Sequence, residues 1–276
     1  MSMLPENCIA HALSLTTPQD VCALSLVSKT FQSASASDVV REKFLPRDYN
    51  EILSRTVPPL NLSSFESKKE LYFHLCKDHV LIDGGTKSLK LEKRSGKKCL
   101  VIGSRELAIS WGENPSYWQW ISHPKSRFSE VAHLLHVWWL EINGKIEARM
   151  LSPKTRYAVY LVLTYNDAFG LDYPASEANI QFVDGECNAS GVRAVYLDDC
   201  RRFEQDYNIP EVTETPDESK LPREREDGWL EVEMGEFYND HGDDGEVKMT
   251  LKEVTGYSKG GLIVEGIELR PKANST

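Results

Sequence analysis

Apolar residues follow two rhythms along this chain. Up to about residue 80 they recur every three or four positions, the spacing of one helix face; beyond it they gather in short runs between turn residues. Thr17 is placed to cap a helix that begins at Pro18, where the missing amide hydrogen would be unpaired anyway, and Asp20 falls at the third position. Val21, Leu24 and Val27 continue at helical spacing, and Leu26 widens their stripe. A second capped segment opens at Ser37, runs from Asp38 to Leu45 and is stopped by Pro46. Asp48 to Arg55 and Ser67 to Cys76 read as two more helices, parted by Val57-Pro58-Pro59, with Ser67 and Glu70 in capping-box register. Gly84-Gly85 ends the helical region.

Strand signals then follow at short intervals. Ser88 to Leu91 and Cys99 to Ile102 flank Ser95-Gly96 as a hairpin, and further runs cover Leu107–Trp111, Val137–Ile142, Lys145–Leu151, Tyr157–Tyr165, Asn179–Val183 and Val192–Leu197. Three more span Trp229–Met234, Val247–Val254 and Leu262–Leu269. Asn143-Gly144 between two runs predicts a two-residue hairpin turn, because both central positions of that turn need positive φ. Many short strands without long intervening helices predict an antiparallel sandwich. The expected class is therefore α+β and multidomain: a helical segment over 1–46, a helical connector over 47–80 and a β-sandwich over 81–272. Charges and prolines dominate between Arg201 and Asp227, so a mobile insertion is predicted over 204–227, with a frayed tail after Pro271.

Composition narrows the chemistry. A net charge of −10 over 276 residues argues against a surface that coats nucleic acid. No apolar run reaches the roughly 20 residues that span a bilayer, and the first five residues lack the basic-then-apolar pattern of a signal peptide. The expected location is the cytoplasm and nucleus. Six cysteines, at 8, 22, 76, 99, 187 and 200, show no paired spacing and read as buried free thiols. No cofactor or metal is expected. The run from Asp240 to Gly245 imitates a calcium loop, but Leu251 stands where the terminal glutamate belongs. His133 and His136 sit in a strand-like context that does not turn both imidazoles toward one ion.

At the front, Leu4-Pro5, Ile9, Leu13, Pro18-x-Asp20, Leu24, Val27-Ser28-Lys29-x-Phe31 and Val39-Val40-x-Glu42-Lys43-Phe44-Leu45 are similar to the F-box. That resemblance covers about residues 1–46 and implies docking to the Skp adaptor of a cullin-based ubiquitin ligase by apolar helix faces. The implied adaptor-binding residues are Leu4, Pro5, Ile9, Leu13, Pro18, Leu24 and Val27. One departure is Arg41, which stands where F-boxes often carry tryptophan and so removes an aromatic anchor. Read from the residues alone, the same segment also fits a small bundle packed on the rest of the chain.

Further on, Trp111, Asn114-Pro115-x-Tyr117-Trp118-x-Trp120, Leu140-Glu141-Ile142-x-Gly144-Lys145-Ile146, Asp227-Gly228-Trp229, Gly235-Glu236-Phe237, Asp244-Gly245-Glu246-Val247 and Gly266-Ile267-Glu268-Leu269-Arg270-Pro271 occur in order. Together they resemble the plant phloem lectins, or Nictaba-type lectins, over about residues 100–272. An F-box followed by this domain is a recognised plant arrangement. The resemblance implies a jelly-roll-like sandwich that binds N-acetylglucosamine oligomers or N-glycans of target glycoproteins, with Trp111, Trp118, Glu246 and Glu253 as carbohydrate-binding residues. A pyranose offers an apolar face and a hydroxyl rim, which suits an exposed ring beside carboxylate or amide acceptors. Burial in the core is the other reading of each tryptophan. On one straight strand Glu246 and Glu253 would stand about 23 Å apart on opposite faces, so one monosaccharide would not touch both. Stacking one sugar hides little apolar area, and capture at useful strength would need an extended glycan or several sites. A glycosidase would need its two carboxylates about 5 to 10 Å apart, which no spacing here establishes. The expected role is a non-catalytic recognition subunit of the ligase; the alternative is a receptor for a polypeptide target with no sugar binding.

Overall fold

The computed structural model describes residues 4–183, 191–198, 217–242 and 245–272. The chain divides into two compact units, Met1–Leu100 and Val101–Thr276. Among its described residues the first holds six α-helices: α1 (Glu6–Ser14), α2 (Pro18–Leu24), α3 (Lys29–Ala36), α4 (Asp38–Phe44), α5 (Tyr49–Ser54) and α6 (Lys68–Lys77). Two antiparallel strands follow, β1 (Val80–Ile82) and β2 (Lys87–Leu91). The strand β3 (Lys98–Gly103) carries the chain across the division.

Local chemistry sets the helix starts. The Thr17 hydroxyl accepts from the Asp20 amide at 3.1 Å while the Asp20 carboxylate accepts from the Thr17 amide at 3.2 Å, a complete capping box. The Ser28 and Ser67 hydroxyls cap α3 and α6 by accepting from the Phe31 and Glu70 amides at 3.3 and 3.2 Å, without the reciprocal bond. Ser37 makes no side-chain cap on α4; Asp38 instead accepts from the Lys68 amide at the start of α6, at 2.9 Å. Ile9, Leu13, Val21, Val40, Leu71 and Leu75 fill the core of this unit. Arg55 grips Asp83 through two hydrogen bonds of 2.8 Å each, which ties the end of α5 to the turn between β1 and β2.

The second unit is built from β4 (Ala108–Ile109), β5 (Trp118–Ile121), β6 (Val131–Leu134), β7 (Leu140–Glu147), β8 (Thr155–Phe169), β9 (Ser176–Phe182), β10 (Arg193–Val195), β11 (Arg223–Glu224), β12 (Leu230–Asn239), β13 (Glu246–Glu253) and β14 (Gly260–Pro271). One sheet of this unit runs β14-β8-β12-β11, with β6 paired to β14 and β5 to β6; the other runs β10-β9-β13-β7-β4. The pairings within the unit are antiparallel. The two sheets face each other: Phe182 of one meets Phe237 of the other at 5.6 Å between ring centres. The expected sandwich is thus present.

The hairpin predicted at Asn143-Gly144 is not. Leu140–Glu147 is one unbroken strand, and Ala108 and Thr250 pair with Asn143 on either side. Glycine serves packing there rather than a turn: a Cβ on Gly144 would stand 2.9 Å from the tip of the Ile267 side chain of the facing sheet and 3.2 Å from that of Leu107, and those tips would have to shift to admit it. Residues 204–216 of the predicted insertion lie outside the described residues. From Asp217 the chain forms a turn, in which the Asp217 carboxylate accepts from the Ser219 amide at 3.0 Å, and then β11.

The Asp227-Gly228-Trp229 motif has a structural explanation. Gly228 takes φ +78°, Asp227 accepts from Arg225, and Trp229 is fully buried with its indole donating to the Lys125 carbonyl at 3.2 Å. Arg225 also reaches Glu231 at 2.8 Å and the buried Glu268 at 2.6 Å, so the charged groups under this turn are mutually satisfied. No helix among the described residues is long and apolar enough to cross a membrane.

Gly266 approaches the Ile102 carbonyl so closely that an added Cβ would stand 2.1 Å from it, against backbone that has no rotamer to yield. Gly266→Ala is therefore expected to destabilise the protein by about 1–3 kcal/mol or more, read as a lower urea midpoint at constant slope.

Candidate functional site

Two surfaces bear on function, one in each unit. In the helical unit, Leu26, Leu15, Leu4 and Val27 are 86, 73, 69 and 67 % exposed. They are the most exposed large apolar side chains among the described residues. Of the residues expected to dock the adaptor, Leu4, Pro5 and Val27 are exposed and Leu24 is half-buried, whereas Ile9, Leu13 and Pro18 are buried within the unit. The latter three hold the helices together. Leu15, Leu26 and Val39 are exposed apolar residues that spacing did not assign to docking. Periodicity identifies a stripe but not which parts leave it: α2 ends at Leu24, and Leu26 and Val27 follow in turns bonded to Ala23 and Leu24.

Arg41 corrects the expected loss of an anchor. It is buried, with its guanidinium 5.9, 5.7 and 5.5 Å from the ring centres of Phe44, Tyr72 and Phe73. Burial lowers its pKa from the ordinary arginine value, and the three rings supply cation–π attraction. The position serves the interior of the helical unit, not its outer face.

In the β-sandwich unit the four residues expected to hold a sugar are not brought together. Trp111 lies just beyond β4, 51 % exposed, with its backbone in the left-handed region at φ +57°. That conformation is costly for a bulky residue and persists only where neighbours enforce it. The enforcing groups are the other two tryptophans of the motif: the Trp118 indole donates to the Ser110 carbonyl at 3.2 Å and the Trp120 indole to the Gly112 carbonyl at 3.1 Å, bracketing Trp111. Trp118 is itself only 2 % exposed, so it positions Trp111 and offers no ring to a ligand.

The two glutamates fall at opposite ends of β13. Glu246 pairs in register with Glu147 and Glu253 with Leu140, about 23 Å apart along the strand. Glu246 makes an ion pair with Lys145 at 3.1 Å. Glu253 is buried, paired to the buried ammonium of Lys259 and accepting from the Thr255 amide at 2.7 Å. Lys259 also donates to the carbonyls of Trp138 and Tyr257 at 2.9 and 2.7 Å. This ion pair fastens the loop before β7 to the loop between β13 and β14, and its carboxylate is closed to a ligand.

A carboxylate that sequence reasoning passed over stands in the open instead. Glu141 on β7 accepts from the Trp139 indole at 3.1 Å and from the Asn143 amide at 3.2 Å. The Trp139 hydrogen bond, then that of Asn143, holds its carboxyl below the usual carboxylate range, with Ser110 contributing. The signal was the alternation Trp139, Glu141, Asn143 against the buried Leu140 and Ile142, which the expected turn at Asn143 cut short. Among the described residues no group of histidines, cysteines and carboxylates is arranged to hold a metal ion.

The first unit is helical and the second is built on two facing antiparallel sheets. Comparison with known proteins identifies both parts: residues 1–43 match the F-box domain and residues 97–271 match phloem protein 2. The chain belongs to the phloem protein 2 family in its F-box-bearing form. Among its relatives in Arabidopsis thaliana, it is 45 % identical to F-box protein At2g02240, covering 98 % of this chain and 79 % of that one. It is 44 % identical to F-box protein PP2-B10, covering 97 and 92 %, and 41 % identical to F-box protein VBF, covering 99 and 100 %.

The two motif tryptophans should separate in unfolding experiments. Trp118→Ala is expected to cost about 3–5 kcal/mol as a core truncation. Trp111→Ala should stay within about 1 kcal/mol of the parent, since little contact is lost and the replaced residue keeps the same backbone strain. Urea midpoints of both variants measure this.

Proposed function

We propose that this protein is the target-recognition subunit of a Skp-cullin-F-box ubiquitin ligase, in which the helical unit docks the Skp adaptor and the β-sandwich holds the target. The observation that carries this reading is the set of exposed apolar residues Leu4, Leu15, Leu26 and Val27 in a segment that matches the F-box. These side chains flank the ends of α1 and α2, and apolar residues presented by a helical segment to a partner groove are a common mode of such docking. The subunit does no chemistry in this account; transfer of ubiquitin belongs to its partners.

For the target, we favour recognition of N-acetylglucosamine-containing glycans. The family match and the exposed, braced Trp111 support it. A receptor for a polypeptide is the second reading, favoured by a separate observation. Trp138, Tyr173 and Tyr257 on three loops of the sandwich, and Phe169 at the end of β8, are each about half exposed, and exposed aromatics are the residues that dominate protein interfaces.

Co-purification with the Skp adaptor tests the docking half. Leu26→Asp with Val27→Asp is expected to weaken capture at least tenfold, about 1.4 kcal/mol, without moving the unfolding midpoint. Leu13→Ala should act through lost folding stability instead. Undiminished capture by the double variant contradicts the docking reading. A glycan array on the full chain, with Trp111→Ala beside it, separates the two target readings: glycan binding by the parent supports the glycan, its loss in Trp111→Ala shows that this ring contributes, and a parent that binds no glycan leaves the polypeptide.

A further inference from the structure

The exposed face of the five-stranded sheet carries its side chains in rows across the strands. Asn143 of β7 stands in register with Thr250 of β13, and Thr250 with Asn179 of β9. The hydrogen bonds along this face run in one direction. The Thr250 hydroxyl donates to the Asn143 side-chain oxygen at 2.8 Å, and the Asn143 amide donates to Glu141. The Trp139 indole donates to the other Glu141 oxygen. A carboxylate has about four lone-pair directions, and Trp139 and Asn143 occupy two. Glu141 therefore keeps accepting capacity while its charge and orientation are held. Trp139, 46 % exposed, is fixed by the same bond and stands two residues away on the same side of the strand. Ser110, which bonds the Glu141 carbonyl through its amide at 3.0 Å, directly precedes the exposed Trp111.

We propose that Trp139 and Glu141 form the ligand-contact pair of the sandwich, taking one neutral pyranose of a glycan with its apolar face toward the indole and its hydroxyls donating to the carboxylate. This rests on the glycan reading above and names the residues that would serve it. The chemistry favours a neutral polyhydroxylated ring: an anionic ligand would meet the Glu141 charge, whereas a ligand with several O–H donors and a CH face uses both partners at once. Glu246 and Glu253 are already engaged with Lys145 and Lys259, and Glu253 is closed to solvent.

The charged groups facing Glu141 are Lys252, its register partner on β13, which is paired to Glu177 of β9 at 3.0 Å, and Lys248, which also favours the ionised carboxylate; on the β4 side lies the uncharged Ser110, whose backbone amide bonds the Glu141 carbonyl. Because the Glu141 pKa is depressed, binding through its carboxylate should be present at neutral pH and lost as pH falls through that lowered value. Trp139→Phe keeps a ring but removes the donor, so the acid limb of binding should move to higher pH.

The test is titration of the full chain with chitotriose, followed by calorimetry, for the parent, Glu141→Gln, Trp139→Ala, Trp139→Phe and Glu246→Gln, with unfolding midpoints confirming that each folds. The proposal expects at least tenfold weaker binding for Glu141→Gln and Trp139→Ala, a displaced acid limb for Trp139→Phe, and less than a twofold change for Glu246→Gln. Parent-like binding by Glu141→Gln and Trp139→Ala overturns the assignment while the glycan reading stands. A parent chain that binds neither chitotriose nor any glycan of the array overturns both.

Discussion

The close approach of the two sheets at Gly144 governs much of what this molecule presents to its surroundings. β4 and β13 pair with β7 on its two edges, so it passes through that point as a straight strand, and Gly144 leaves the room that the Ile267 side chain of the facing sheet fills. Strict alternation then follows: Leu140, Ile142 and Ile146 go inward, while Trp139, Glu141, Asn143 and Lys145 are left on the outer face. A turn at Asn143 would have broken that row. The hydrogen-bonded series from Thr250 through Asn143 to Glu141 exists only because β7 continues and β13 pairs with it in register.

Locally determined features were legible in the sequence. Thr17 with Asp20, and Ser67 with Glu70, announced helix starts because a cap needs only residues within one turn. Family identity was also legible, since separated motifs agreed across both units. What escaped were properties decided by partners distant in the chain. Gly144 carries the same dipeptide as a hairpin turn, and only the facing sheet distinguishes the two uses. Glu253 looks like a free strand-end acid until Lys259 is found beside it in the interior. Trp118 and Trp111 share one motif, yet one is buried and supports the other through the loop carbonyls. Arg41 reads as a missing surface aromatic until Tyr72 and Phe73, on a helix some thirty residues later, surround it.

The division of labour follows the same physics. The helical unit keeps its inward residues for cohesion and leaves leucines uncovered, an arrangement that costs solubility unless a partner covers them. The sandwich unit uses a buried ion pair and bracketing indoles to hold loops in place, so that under the proposed function exposed rings would meet a ligand already oriented and lose less freedom on binding. In that proposal a single sugar would bind weakly, and attachment to a ligase through a second surface on the same chain would let modest recognition act on a captured target.

The most direct test of the account is hydrogen–deuterium exchange of the full chain, alone, with the Skp adaptor, and with chitotriose. The account predicts that the adaptor protects amides within residues 4–27 and leaves the sandwich strands unchanged, while the sugar protects residues 139–143 and the neighbouring segment of β13 and leaves the helices unchanged. Adaptor-dependent protection confined to the strands, or sugar-dependent protection confined to the Glu246 end of β13, would contradict it.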